Sequence, residues 1–235
     1  MEASPPTFVE LMERFDARPC PAPARRQPGF VELGPRFEEA LLYASAAHRQ
    51  QPRKGTPVPY LSHLLGVTSI VLTYGGNEDQ AIAGLLHDTV EDCGVEHEPV
   101  IGELFGDEVL RIVLACTDSR VRAGEAKAGW RQRKEEYLHH LRELPPGDAA
   151  LLVSCSDKLH NAQAVVADLE VLGLPLWDRF PGKTPEDNLW YYQSLAATFG
   201  ERLPGTLADR LRRTAEAMTA LHRSLAGPGS EADRS

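Results

Sequence analysis

Three short stretches hold most of the side chains able to do chemistry. The first is His87-Asp88-Thr89-Val90-Glu91-Asp92. On a helix these two pairs stand one turn apart, at i, i+1, i+3 and i+4, so all four side chains can face one cavity. A histidine beside an aspartate offers an imidazole nitrogen and a carboxylate oxygen, a donor mixture that suits divalent ions such as Mn²⁺, Fe²⁺ or Zn²⁺. Glu91 and Asp92 come just before Gly94, where the helix is expected to end. Carboxylates in a last turn oppose the helix dipole, at a cost of a few tenths to about 1 kcal/mol each. Coming after the apolar run Ala83-Gly84-Leu85-Leu86, the group reads as a site rather than as a solvated helix end.

The second stretch is Ser156-Asp157-Lys158-Leu159-His160-Asn161, inside the most apolar segment of the chain. Asp157 and Asn161 are four apart and share a helix face. A buried aspartate must be paired or bound to a metal, because an isolated buried charge is very costly. The residues alone leave both options open, a metal or a nearby lysine. The third stretch runs from His48 through Arg53, Lys54 and Tyr60 to His63. Here a histidine ends an alanine-rich helix, a basic loop follows, and Tyr60 and His63 open the next helix. Arginine in such a loop can hold phosphates by bidentate hydrogen bonds or stack on a flat base, and a plain solvated loop is the alternative. A fourth group, Trp130 to Tyr137, reads mainly as an exposed helix with i,i+4 charge pairs. A phosphate contact from Arg131 or Lys134 is its sharper reading.

The elements that must position these residues are helical nearly throughout. Apolar side chains recur at helical spacing over 37–50, 61–74, 77–91, 100–105, 108–115, 130–144, 148–172, 185–199 and 203–225. No segment alternates with period two between turn signals. The pattern predicts an all-α, single-domain bundle of about nine helices over 34–226. Residues 1–33 hold six prolines and read as a loosely attached arm, although 8–15 could form a turn or two of helix. The polar segment 227–235 reads as a disordered tail.

The 235 residues are 42% hydrophobic and 25% charged, ordinary values for a globular domain with a real core. A net charge of −9 argues against a general nucleic-acid binder. No apolar run approaches the roughly 18 residues of a spanning helix, and no secretory or lipidation signal is evident, so no membrane partner and a cytoplasmic location are expected. The four cysteines are scattered without a C-x-x-C pair and read as reduced thiols.

Taken in order, H-x(38)-HD-x-x-ED-x(64)-D, with RKGTPVPY after the first element and SDKLHNA at the last, resembles the HD phosphohydrolase superfamily. More narrowly, the chain is similar over about residues 36–200 to the hydrolase domain of RelA/SpoT-type alarmone enzymes and to the stand-alone small alarmone hydrolases. The resemblance implies an all-α fold, a divalent metal (usually Mn²⁺) and a small nucleotide substrate. The implied reaction removes pyrophosphate from the 3′ position of guanosine tetra- or pentaphosphate, leaving GDP or GTP. It implies His48, His87, Asp88 and Asp157 as metal ligands, and Glu91 and Asp92 as the catalytic pair that positions and activates water. Arg53 would pack on the base, Lys54 and Lys158 would meet phosphate, Asn161 would lie near the nucleoside, and Tyr60 and His63 would line and support the pocket. Leu64, Gln163 and Ala164 depart from the family's usual residues. The resemblance covers the hydrolase region alone and implies no synthetase. The competing readings are an HD phosphohydrolase of another nucleotide (an adenosine alarmone, NADPH or a nucleoside phosphate) and a catalytically silent nucleotide sensor.

Overall fold

The computed structural model describes residues 29–117 and 129–227. Nearly all of the proline-rich arm, the possible turn at 8–15 and the tail after Gly227 lie outside these. Among the described residues the chain forms ten α-helices and no strand: α1 (Pro35–Ala47), α2 (Leu61–Thr73), α3 (Glu78–Leu86), α4 (Thr89–Cys93), α5 (His97–Phe105), α6 (Asp107–Cys116), α7 (Trp130–Glu143), α8 (Ala149–Leu172), α9 (Pro185–Arg202) and α10 (Thr206–Ala226). A 3₁₀ turn, Leu174–Arg179, links α8 towards α9. None of these helices is long and apolar enough to cross a membrane.

Local chemistry sets three of the helix starts. Asn77 opens α3 with a reciprocal capping box, its side chain accepting from the Gln80 N–H while the Gln80 side chain accepts from the Asn77 N–H. Thr184 and Asp187 do the same for α9, which also has Pro185 at its first position. Asp148 caps α8 by accepting from the Ala150 N–H at 2.8 Å.

One expected helix divides. The segment 77–91 forms α3 and α4, separated at His87 and Asp88. This accounts for ten helices where about nine were expected. Because α4 has only five residues, Glu91 and Asp92 lie in its first turn. The dipole penalty expected for them therefore largely disappears.

The core is two clusters of buried side chains that meet at α8. One is built from α1 to α6 and takes Ala150 and Val153 of α8. The other is built from α7, the 3₁₀ turn, α9 and α10, and takes Leu151, Cys155, Leu159, Ala162, Val165 and Leu169 of α8. A helix buried on both sides must be apolar nearly all round, and this explains the composition of 149–172. Gly84 allows α2 and α3 to pack closely, since a Cβ there would lie 3.3 Å from Thr68 Cα. That approach brings the start of α2 beside the end of α3, with the His63 and His87 ring centres 5.2 Å apart.

Candidate metal centre and phosphate-binding cavity

Three elements deliver the central cluster. His63 stands in the first turn of α2, His87 and Asp88 occupy the α3–α4 junction, and Asp157 lies midway along α8. His63, His87 and Asp88 place a ligand atom each within 4.8 Å of one another. Asp157 closes the group: its Oδ1 is 3.2 Å from His63 Nε2 and 3.7 Å from His87 Nε2. Asp88 Oδ2 faces the same two nitrogens at 3.5 and 3.0 Å.

The hydrogen bonding shows what the cluster suits. His87 Nδ1 donates to the Gly84 carbonyl at 2.9 Å, so in the neutral ring Nε2 carries the lone pair. Both His63 Nε2 and His87 Nε2 are buried and make no hydrogen bond, despite the carboxylates around them. Two imidazole nitrogens aimed between two carboxylates form a donor set suited to a borderline divalent ion. The charges agree. Burial works against a proton on His87, but Asp88 and Asp157 outweigh it and hold its pKa well above the usual imidazole value. Burial likewise disfavours the Asp157 carboxylate, but Lys158 and then the two imidazoles hold its pKa well below the ordinary range. Lys158 and the His87 imidazolium thus balance the two ionised carboxylates, and a divalent metal in place of the His87 proton would balance the same charges.

The structure changes one assignment from the sequence. His48 was expected as a ligand, with His63 in a supporting role, but it is His63 that joins the cluster. His48 caps the C-terminus of α1 and its ring stacks on Tyr60, centroids 5.2 Å apart. Both of its nitrogens face other partners, Nδ1 at 2.6 Å from Gln51 Oε1 and Nε2 at 3.4 Å from Thr89 Oγ1. Gln51 in turn donates to Asp92 Oδ2 at 2.7 Å, so His48 stands behind the Glu91–Asp92 pair. Tyr60 donates to Asp88 Oδ2 at 2.6 Å. Burial and that carboxylate push the phenol pKa up, so it remains a donor.

The residues of α8 are placed in one chain of contacts. Lys158 Nζ pairs with Asp157 Oδ2 at 2.6 Å, and Asn161 Nδ2 donates to Asp157 Oδ1 at 2.6 Å. Of the two options the sequence left open for Asp157, the lysine is the one seen. The other Asp157 oxygen faces the imidazoles. Arg53 donates to Asn161 Oδ1 at 2.9 Å, and its guanidinium lies 5.9 Å from the Tyr60 ring centre. The loop that carries Arg53 doubles back on itself. The Arg53 N–H donates to Val58 O at 2.7 Å, and the Tyr60 N–H to Gln51 O at 2.8 Å.

Beside this cluster opens a cavity of about 470 Å³. Six cationic side chains line it, namely Arg53, Lys54, Lys134, Lys158, Arg179 and Lys183, against a single acidic one, Asp168; Arg179 is paired with Asp168 and Lys158 with Asp157 behind the wall. Tyr60, Trp130, Phe180, Tyr191 and Tyr192 supply aromatic wall. A chain with net charge −9 therefore gathers positive charge at one concave place, where it attracts anions locally.

Of the fourth sequence group, Lys134 reaches this cavity. Arg131 instead stacks 3.2 Å from the Trp190 ring centre and pairs with Glu135 at 2.7 Å. Of the departures, Leu64 is fully buried in the core and Ala164 lines the cavity. Gln163 faces α10, and with its amide turned so that the oxygen meets the guanidinium it accepts from Arg210 at 3.1 Å.

Sequence reasoning missed Arg179, Lys183 and Phe180, which lie in a segment without helical periodicity. It also missed His160. His160 Nδ1 lies 2.9 Å from His63 Nδ1, and burial, with His63 and Arg53 nearby, pushes its pKa down to about 4. The only signal for it was a titratable residue between Lys158 and Asn161.

The HD domain family model matches residues 40–172. The guanosine-3′,5′-bis(diphosphate) 3′-pyrophosphohydrolase MESH1 of Xenopus tropicalis is 38% identical over 127 residues, covering 52% of this chain and 65% of that protein. The protein of that name from Drosophila melanogaster is 32% identical over 139 residues, covering 58% of this chain and 70% of its own length. This chain thus spans just under two thirds of the Xenopus relative. A solved structure described as a metazoan ortholog of SpoT that hydrolyzes ppGpp superposes with a TM-score of 0.59 at 27% identity, covering 81% of this chain and 97% of that one. The matched region runs from α1 through α8 and contains His63, the His87-Asp88 junction and Asp157, so this chain belongs to the HD-domain family.

Proposed function

We propose that the protein is a divalent-metal-dependent hydrolase of guanosine tetra- and pentaphosphate alarmones, releasing pyrophosphate from the 3′ position to give GDP or GTP. The observation that carries this reading is the cavity with six cations opening beside the two-histidine, two-aspartate cluster. A nucleotide bearing phosphates on two positions matches that excess of positive charge, and the names of the relatives point to the same chemistry.

His63, His87, Asp88 and Asp157 would hold the cation, with Mn²⁺ the ion the resemblance implies. Bound there, it supplies Lewis acidity, lowering the pKa of water and stabilising charge on phosphorus. The chain's own residues do the rest. Arg53, steadied by Asn161, and Lys54 meet the nucleotide from the loop side, and Lys158 adds charge beside Asp157. Tyr60 keeps Asp88 oriented by its hydroxyl hydrogen bond. Glu91 or Asp92 orients the attacking water and takes its proton.

The test is a panel of purified nucleotides incubated with the protein and Mn²⁺. Pyrophosphate release from guanosine tetraphosphate, with GDP as co-product, is the expected result. Faster turnover of an adenosine alarmone, NADPH or a nucleoside phosphate would move the assignment to that substrate, and tight nucleotide binding without turnover would make the protein a sensor.

The role of Arg53 can be separated from that of the lysines. If its guanidinium packs on the base, Arg53→Ala raises KM for the nucleotide about five- to thirty-fold, the equivalent of 1–2 kcal/mol. Turnover of a small phosphate ester without a base should change far less. Equal losses on both substrates would assign Arg53 to phosphate instead.

A further inference from the structure

We propose that His160 is a positioning residue that fixes the tautomer and orientation of His63, and thereby sets how tightly the cluster holds its cation. The inference rests on the reading of His63, His87, Asp88 and Asp157 as a metal centre.

Two imidazoles are in direct contact. His63 Nδ1 and His160 Nδ1 are 2.9 Å apart, and their ring centres are 4.9 Å apart. A neutral imidazole has one N–H and one lone pair, so this contact needs one donor and one acceptor. If His63 donates, its Nε2 carries a lone pair facing Asp88 and Asp157. If His160 donates, His63 carries its proton on Nε2, where it makes no hydrogen bond. The first arrangement alone presents His63 to a cation. His87 obtains the same result from the backbone, through the Gly84 carbonyl. For His63 the corresponding partner is a side chain from α8.

The fold makes room for that partner. Gly66 lies three residues after His63 on α2, and a Cβ there would stand 2.2 Å from His160 Nε2 and 2.3 Å from its Cδ2. Glycine at 66 therefore admits the His160 ring against α2, and any larger residue would push it out. His160 also lines the cavity, so it links the cluster to the site where the nucleotide is read. Removing a partner that orients a metal-ligating histidine typically costs 10–100-fold in metal affinity.

The experiment measures Mn²⁺ affinity of the full-length protein by competition with a fluorescent chelator, with circular dichroism confirming the fold. His160→Ala and Gly66→Ala are expected to weaken Mn²⁺ binding about 10–100-fold. His160→Asn places an amide oxygen close to the former Nδ1 position and should recover most of the loss. A purely structural role would not produce that recovery. If His160→Ala fails to fold, Gly66→Ala and His160→Asn decide the question. Affinity within about three-fold of wild type in Gly66→Ala or His160→Ala, with binding lost in His87→Ala, overturns the role of His160 and leaves the metal centre standing. Equal Mn²⁺ binding by wild type and His87→Ala would instead overturn the metal centre itself.

Discussion

His87→Ala is expected to yield a folded protein that has lost both its divalent cation and its hydrolase activity. The substitution removes one of two imidazole nitrogens that face Asp88 and Asp157 within 3.7 Å. It also leaves the Gly84 carbonyl without its side-chain donor, a cost of about 1–3 kcal/mol to stability that a domain of this size can bear. The loss of Lewis-acid stabilisation is larger, several kcal/mol, which corresponds to a fall in turnover of about 10³-fold or more. Elemental analysis and turnover of guanosine tetraphosphate check both parts. His63→Ala should behave like His87→Ala. His48→Ala should retain its metal, because the His48 nitrogens face Gln51 and Thr89. If His48→Ala lost the ion and His63→Ala kept it, the ligand assignment would revert to the one expected from the sequence.

The second large effect should separate chemistry from metal binding. The double variant Glu91→Gln, Asp92→Asn is expected to keep its fold and its metal while turnover falls about 10²–10⁴-fold, the range of a general acid–base group. Both residues lie in α4, directly after the junction that carries His87 and Asp88, and Asp92 is oriented by Gln51. The amides are nearly isosteric with the acids and preserve hydrogen bonding to Gln51 while removing the base. Single-turnover kinetics at saturating Mn²⁺, together with metal content, decide the outcome. Wild-type rates would remove the pair from the mechanism, and loss of the metal would make them ligands.

The sequence carries the helices, the long apolar α8 and the motif order because these depend on local spacing. Asp157 and Asn161 share a face of α8 for the same reason, and their side chains meet at 2.6 Å. What it does not carry depends on the path of the chain between elements. His48 and His63 flank a loop that folds back through an isolated bridge between Pro52 and Pro59, so both histidines come near Tyr60. Spacing alone cannot say which ring reaches Asp88. The break at His87 and Asp88 has no proline or glycine to announce it. The packing of Arg179 against Gly55, where a Cβ would lie 2.5 Å from the arginine Cγ, joins segments more than a hundred residues apart. Lys183 and Phe180 reach the cavity through the same kind of long-range closure.

The position of α8 between the two clusters gives the site a mechanical dependence on the whole fold. Asp157, Lys158, His160 and Asn161 all ride on the one helix that both halves of the interior grip. The α8 side of the centre therefore has no hinge of its own, and Asp157 cannot loosen by local fraying as a loop-borne residue can. A defect in either half, even one far from any ligand atom, reaches the centre as a tilt or slide of α8 relative to α2 and the α3–α4 junction. In such a molecule, hold on a cation bound at the proposed centre would be a gauge of interior packing, and weakened retention would report a disturbed core before the chain unfolds.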